Sequence, residues 1–294
     1  MTGPFHIQQI SKFKDKPTIL QVLPELNSGG VERTTLEVAS AIAKAGGRSL
    51  VASAGGSMVD ELERRGGHHI PFPLATRNPL KLAANVRHLR HMFLAEGVDI
   101  VHVRSRAPAW SVYKAMKGMN LPLVTTFHAP YNTNIIFKRF YNSVMARGDR
   151  VIAISQFVLE HIRKEYDGQP WFTPQRLRLI HEGIDLNFFD PKNVTDERIN
   201  HLREKWNLRP DSKVIMLPGR LTRWKGQGVL LDALSLIKQD DVNIIMVGSD
   251  QGRVDYRQEL MDIAEKLGLH GRLRLVDHCK DMPAAFMFSV RKFR

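Results

Sequence analysis

Short apolar runs alternate with amphipathic helical stretches along most of this chain, and that rhythm allows few folds. Residues 18–23 read as a strand. Residues 31–44 read as a helix, with Val31, Thr35, Val38, Ala39, Ile42 and Ala43 on one face. Further strands are predicted at 50–52, 69–72, 99–103, 123–127, 150–154 and 177–181, with Pro71 interrupting the third. Helices fall between them at 57–65, 78–96, 107–117, 134–146 and 155–165. Their ends carry the expected punctuation: Ser155 as an N-cap, Pro79 near a helix start, Gly46 and Gly47 after a helix end. Several strands are apolar on both faces, the mark of a parallel sheet covered by helices on each side.

After Gly183, Ile184, Asp185 and the Asp190-Pro191 turn the rhythm restarts. A crossing helix is expected at 196–206, strands at 214–217, 243–247 and 273–276, and helices at 227–238 and 255–267. The expected organisation is an N-terminal tail at 1–17, a first α/β domain at 18–190, and a linker with a second, incomplete domain at 191–294. The chain has 294 residues, enough for two domains, but three strands are few for an independent doubly wound one. No internal repeat or low-complexity tract appears.

Lys and Arg outnumber Asp and Glu by 43 to 30, a formal net charge of +13. That surplus suits nucleotide-sugars, phospholipid surfaces or nucleic acid, and suits a merely soluble basic surface equally well. Nucleic acid is set aside, because aromatic interleaving and any recognisable binding module are missing. Cys279 is the sole cysteine, which leaves no disulfide framework or zinc cluster and fits a reducing compartment. No apolar run reaches the roughly 18 residues of a membrane span, and residues 1–16 lack a signal-peptide core. The sequon Asn193-Val194-Thr195 is read as chance. A cytoplasmic chain is expected. The basic helix at 81–91 has two readings, a contact with an anionic membrane face or a solvated surface helix.

The most chemically loaded stretch is Leu217-Pro218-Gly219-Arg220-Leu221-Thr222-Arg223-Trp224-Lys225-Gly226-Gln227. It joins a predicted strand to a predicted helix. Glycines there let backbone approach a ligand, and the helix N-terminus points free N–H groups at it. Arg220, Arg223 and Lys225 add positive charge, so the turn suits a diphosphate; a basic surface turn is the plain alternative. Neither the G-x-G-x-x-G fingerprint nor a P-loop lysine pattern occurs, which argues against a dehydrogenase or an ATPase.

Gly219-Arg220-Leu221 followed by Lys225-Gly226 resembles the donor-phosphate motif of the family 4 retaining glycosyltransferases, which have the GT-B fold of two Rossmann-like domains facing a cleft. The resemblance implies that Arg220 and Lys225 grip the diphosphate of a nucleotide-sugar, with Gly219 and Gly248 on the nucleotide side. It implies that Gly29 and Gly30, in the first strand-to-helix loop, lie against the donor phosphate and the acceptor. It implies that His128, at the end of a strand, contacts the transferred sugar near the reacting carbon. Arg104 and Arg106 end another strand and are candidates for an anionic acceptor, or residues of a solvated loop. Gly183 and Asp185 resemble the family's hinge, with Ile184 as a conservative replacement. Gly248-Ser249-Asp250 departs from the family's turn, whose second glycine is missing at 250, with Gly252 two residues later. Residues 276–282 would pass near the nucleobase. His88 and His91 lie three apart on a helix, but no third ligand is in register, so no metal is expected. No cofactor is expected beyond the nucleotide-sugar donor.

The resemblance runs from about Thr18 to Ala285. Family members continue into a region with two glutamates seven residues apart that face the donor sugar. Here the last acidic residue is Asp281, and residues 287–294 do not read as the expected continuation. A truncated or frame-shifted enzyme is expected, with an open sheet edge and an exposed apolar face in its second half. The function implied is transfer of a hexose-like sugar, with retention, from a nucleotide-sugar to a glycan or lipid-linked acceptor in envelope polysaccharide or lipopolysaccharide synthesis. The alternative is a catalytically dead relative that binds nucleotide or a partner.

Overall fold

The computed structural model describes residues 16–74, 79–132, 135–209, 212–237, 241–252 and 254–290. The expected tail thus lies almost wholly outside the described residues, as do the last four positions. Two compact units divide between Ile184 and Asp185. That point falls inside the Gly183-Ile184-Asp185 segment, a few residues ahead of the expected boundary at 190.

The first unit is built on seven strands: β1 (Thr18–Val22), β2 (Arg48–Ser53), β3 (Gly67–Pro71), β4 (Ile100–Val103), β5 (Leu123–Phe127), β6 (Arg150–Ala153) and β7 (Leu177–Leu179). They form one parallel sheet in the order β3-β2-β1-β4-β5-β6-β7. Six helices connect them: α1 (Gly30–Lys44), α2 (Val59–Arg64), α3 (Pro79–Ala95), α4 (Arg106–Ala115), α5 (Ile136–Ser143) and α6 (Gln156–Tyr166). Side chains alternate across each strand. Leu50 and Ala52 of β2 therefore enter one core cluster and Val51 the other. The larger cluster joins Leu20, Val101, Val103, Phe127 and Ile162; the smaller joins Leu23, Leu36, Ala39 and Leu62. Burial on both faces explains why these strands read as nearly continuous apolar runs. Pro71, which cannot donate to a ladder, ends the edge strand β3. The strand order reverses between β1 and β4, and such sheets bind ligands outside the carboxyl ends of the strands at that point.

The second unit holds β8 (Lys213–Pro218), β9 (Val242–Val247) and β10 (Leu273–Val276), parallel in the order β10-β9-β8. Its helices are α7 (Asp196–Lys205), α8 (Gln227–Ser235), α9 (Val254–Lys266) and α10 (Met282–Val290). Val214, Ile245 and Val247 pack with Ile199, Leu202 and Trp206 from α7 and its end, and with Ala284 and Ala285 of α10. On the opposite face Ile244 and Met246 pack with Leu231 and Leu234 of α8 and Leu260 and Ala264 of α9. The sheet is thus covered on both faces, which corrects the expectation of an exposed apolar face.

Helix α10 was not expected from the sequence. Asp281 starts it by accepting from Ala284 N at 3.2 Å through Oδ1, an N-cap arrangement. The same carboxylate takes both Arg198 Nη2 (2.6 Å) and Arg198 Nε (2.9 Å), tying the start of α10 to α7. No helix among the described residues is long and apolar enough to cross a membrane.

Candidate functional site

In the first unit the candidate groups gather where β1, β4 and β5 end. β5 runs directly into His128. Its ring Nδ1 lies 2.6 Å from Glu182 Oε1, and Glu182 follows β7 by three residues. Thr34 Oγ1, in the first turn of α1, lies 2.7 Å from the Gly30 carbonyl and 3.2 Å from the same Glu182 oxygen. One carboxylate therefore joins three elements. The hydrogen bond from His128 is the main cause that holds the Glu182 carboxyl below the usual carboxylate range, against the opposing effect of burial. The other ring nitrogen, His128 Nε2, is buried with no hydrogen-bond partner among the described residues.

Arg104 is 2 % exposed, so neither a solvated loop nor an open crevice describes it. Its Nη1 donates to Gln21 Oε1 at 3.0 Å, and Gln21 Nε2 donates to the Thr35 carbonyl at 3.0 Å. Arg104 Nε has no hydrogen-bond partner among the described residues. Burial pushes its guanidinium down to about 10, with the Glu182 charge pulling the other way. His102, on β4, meets Thr126 Oγ1 at 2.7 Å. Burial, then Arg104 and His128, drive it well below the usual histidine range, so it is neutral. Arg106 is structurally occupied: Nη1 donates to Asn142 Oδ1 at 2.9 Å, and the guanidinium lies 4.3 Å from the Tyr131 ring centroid.

Gly29 is the N-cap of α1, and no side chain caps that helix. Gly30 is its first residue. A Cβ on Gly29 would meet Glu32 Oε2 at 2.4 Å, so a carboxylate already faces this helix start. That carboxylate opposes a diphosphate at Gly29 and Gly30 unless Glu32 swings away.

In the second unit the turn after β8 is positioned by backbone. Gly219 N donates to the Val247 carbonyl at 2.8 Å and Leu221 N to the Ser249 carbonyl at 3.1 Å. A Cβ at Gly248 would stand 2.2 Å from Gly219 O, so glycine is required for the two turns to touch. Gly226, at φ +80°, starts α8 in a left-handed conformation that glycine adopts freely. The buried Gln227 side chain donates from Nε2 to the Arg220 carbonyl at 2.9 Å, clamping the turn from beneath.

This frame leaves Arg220 and Lys225 unpaired with any acidic side chain among the described residues. Arg220 Nη1 reaches Gln251 Oε1 at 3.4 Å. The Lys225 ammonium lies 4.6 Å from the ring centroid of Trp224, a side chain 68 % exposed, and the Arg220 guanidinium lies 5.9 Å from it. Arg223 is different: it is ion-paired with Glu259 and lies over Tyr256, so its charge is already used.

Asp250, standing where a second glycine was expected, has a local role. Oδ1 accepts from Gly252 N at 2.9 Å and Oδ2 from Arg257 Nε at 3.0 Å, which holds the turn after β9 to α9. Arg257 also pairs with Asp277. In the segment at 276–282, Asp277 and Asp281 are engaged by arginines and Cys279 is buried. A surface cavity of about 630 Å³ at β10 and α9, lined by Lys205, Trp206, Arg257 and Arg274 among others, does not include the Gly219 turn. No group of three or more His, Cys, Asp or Glu among the described residues is arranged to hold a metal.

Sequence reasoning missed Glu182 and Gln227. Glu182 had one available signal: it immediately precedes the Gly183 segment, at the carboxyl end of a strand in the sheet that also presents His128.

Comparison with known proteins matches residues 28–188 to Glycosyltransferase Family 4 and residues 198–287 to Glycosyl transferases group 1. A D-inositol 3-phosphate glycosyltransferase from Xylanimonas cellulosilytica is 27% identical over 191 residues, covering 60% of this chain and 44% of that protein. The chain thus spans less than half the length of this curated relative. A glycosyltransferase structure from Rickettsia africae superposes with a TM-score of 0.80 at 36% identity, covering 94% of this chain and 72% of the other. Anabaena Alr3699/HepE, solved with UDP and glucose, gives 0.78 at 24% identity, covering 92% and 71%. The α/β architecture is that of the GT-B fold.

Proposed function

The chain belongs to glycosyltransferase family 4, and we propose that it takes part in moving a sugar from a nucleotide-sugar to a glycan or lipid-linked acceptor, with retention of anomeric configuration. The observation that carries this reading is the turn after β8. Its backbone is pinned through Gly219 and Gly248, and it presents Arg220 and Lys225 without acidic partners. A diphosphate has the matching charge.

In the proposed reaction the bond between the sugar's anomeric carbon and a diphosphate oxygen breaks. A bond to an acceptor hydroxyl oxygen forms, and the proton of that hydroxyl passes to the departing diphosphate. Negative charge grows on the departing diphosphate. Arg220 and Lys225 stabilise it, an electrostatic contribution that is usually the largest in such chemistry. His128 orients the sugar. The donor is the only small molecule required, with no separate cofactor. A bacterial envelope polysaccharide or lipopolysaccharide is the proposed product class. Contact with an anionic membrane face is proposed for α3, where Arg87, His88 and His91 are exposed.

A second reading is donor binding without transfer. It is favoured by the turn after β8 itself, where Arg220 and Lys225 suit a diphosphate whether or not the sugar is transferred. One experiment separates the two. UDP and UDP-glucose are titrated calorimetrically, and release of UDP is followed with lipid-linked and glycan acceptors. Binding with turnover supports transfer, and binding without turnover supports the second reading. No binding of UDP, GDP or ADP would overturn both.

A further inference from the structure

Resting on that reading, we propose that Glu182 is a positioning residue of the transfer site. Its carboxylate holds the His128 ring through Nδ1 and leaves Nε2 as the atom presented to the substrate. Nothing in the donor-turn motif points to this residue; the geometry does.

A carboxylate can only accept hydrogen bonds. The 2.6 Å contact therefore requires the proton on His128 Nδ1, and the bond made by one ring nitrogen decides the state of the other. In the neutral ring Nε2 is then a bare acceptor. It is buried and has no hydrogen-bond partner among the described residues, and a buried acceptor left unmet is costly. A hydroxyl of a bound sugar would meet it. Thr34 Oγ1 approaches the same Glu182 oxygen, so the carboxylate cannot rotate freely away from the ring. The same hydroxyl approaches Gly30 O, so the ring's orientation is tied to the start of α1.

The charged and titratable groups facing this pair are few. Arg104, buried at the end of β4, acts on Glu182, and His102 on β4 faces His128 while held neutral by burial. Glu182 also stands two residues before the division between the units, so the group that sets the ring belongs to the segment leaving the first unit.

The test uses the full chain, with histidine labelled with nitrogen-15 and His128 assigned by difference from H128N. At pH 8 wild type is expected to show a protonated Nδ1 and an unprotonated Nε2. Glu182→Ala is expected to move the proton to Nε2 and lower kcat about tenfold, the order of one misplaced hydrogen bond to the sugar. Its affinity for UDP should stay unchanged. Glu182→Gln retains an acceptor oxygen, so it should keep the wild-type tautomer and most of kcat; it also serves if the alanine variant fails to fold. A wild-type ring with its proton on Nε2, or a tautomer unmoved in Glu182→Ala, would overturn the proposal even if UDP binds and turnover is seen. Absence of UDP binding would instead count against the transferase reading and leave the nitrogen-15 result to decide on Glu182.

Discussion

The two units hold their candidate groups in opposite ways. In the first, His128 is fixed by a side chain, Glu182, which is itself met by Thr34, while Arg104 is buried on Gln21. In the second, Arg220 and Lys225 carry exposed charge on a turn whose shape comes from backbone contacts at Gly219 and Gly248. The difference follows the chemistry each would perform. Presenting one lone pair to one hydroxyl needs a ring fixed in tautomer and angle, and only side-chain partners supply that. Charge spread over a diphosphate tolerates mobile cations, provided their anchor points are placed. Locking them with carboxylates, as Glu259 locks Arg223, would spend the charge they are needed for.

The largest expected effect breaks the backbone half of this comparison. Gly248→Ala puts a Cβ 2.2 Å from Gly219 O. It should destabilise the second unit by about 3 kcal/mol, the upper side of overpacking costs, and abolish UDP binding. A calorimetric melt with UDP titration checks this. A variant that melts like wild type would show that the turn is not set by that contact.

Replacing Arg220 and Lys225 together by alanine should leave the melt nearly unchanged, because neither side chain supports a core. Affinity for UDP should fall by at least roughly 100-fold, since charged hydrogen bonds are each worth about 1.5–3 kcal/mol. The wild-type advantage should narrow at high salt, as exposed charges are screened. An equal loss of stability and affinity would erase the contrast between the units.

Asp281→Ala removes the cap of α10 and its bond to Arg198, and should cost about 1–2 kcal/mol in the second unit alone. The cost should depend on pH in a defined direction. The Arg198 hydrogen bond, more than any other cause, holds the Asp281 carboxyl below its ordinary value. Its contribution is therefore present above the unfolded pKa of about 3.9 and is lost as pH falls through the lower folded value. Denaturation curves of wild type and variant should differ clearly at pH 7 and draw together towards pH 3. The smallest effect belongs to Arg223→Ala, whose exposed ion pair with Glu259 is screened by solvent, so the melt should stay as in wild type; UDP affinity should hardly change. A loss there matching that of Lys225 would place Arg223 among the free cations.

Much of the fold was legible because it is written locally. Every predicted strand is present, and the central ones were the plainest, since a parallel strand covered on both faces is apolar at most positions. Ser155 caps α6 as its residue type and place suggested. Helix α10 was missed although its N-cap, Asp281, is a local signal; what ties its start to α7 is Arg198, 83 positions away. Arg104 reads as exposed from its charge, and only the packing of β1 against β4 shows that Gln21 buries it. Glu182 was passed over because 54 positions separate it from His128, and no spacing rule reports a pair that meets by sheet assembly.

By itself, the sequence determined the alternation of strands and helices, the restart after Gly183, and the basic glycine turn after β8. These are matters of residue type and short-range spacing, which act before the chain has folded. The tertiary structure alone decided which charges are free and which are used: Arg220 and Lys225 without acidic partners, Arg223 taken by Glu259, Arg104 enclosed, His128 held by Glu182. A side chain's charge belongs to its residue type, but whether that charge is available depends on what stands within a few ångströms of it, and only the folded chain sets those distances.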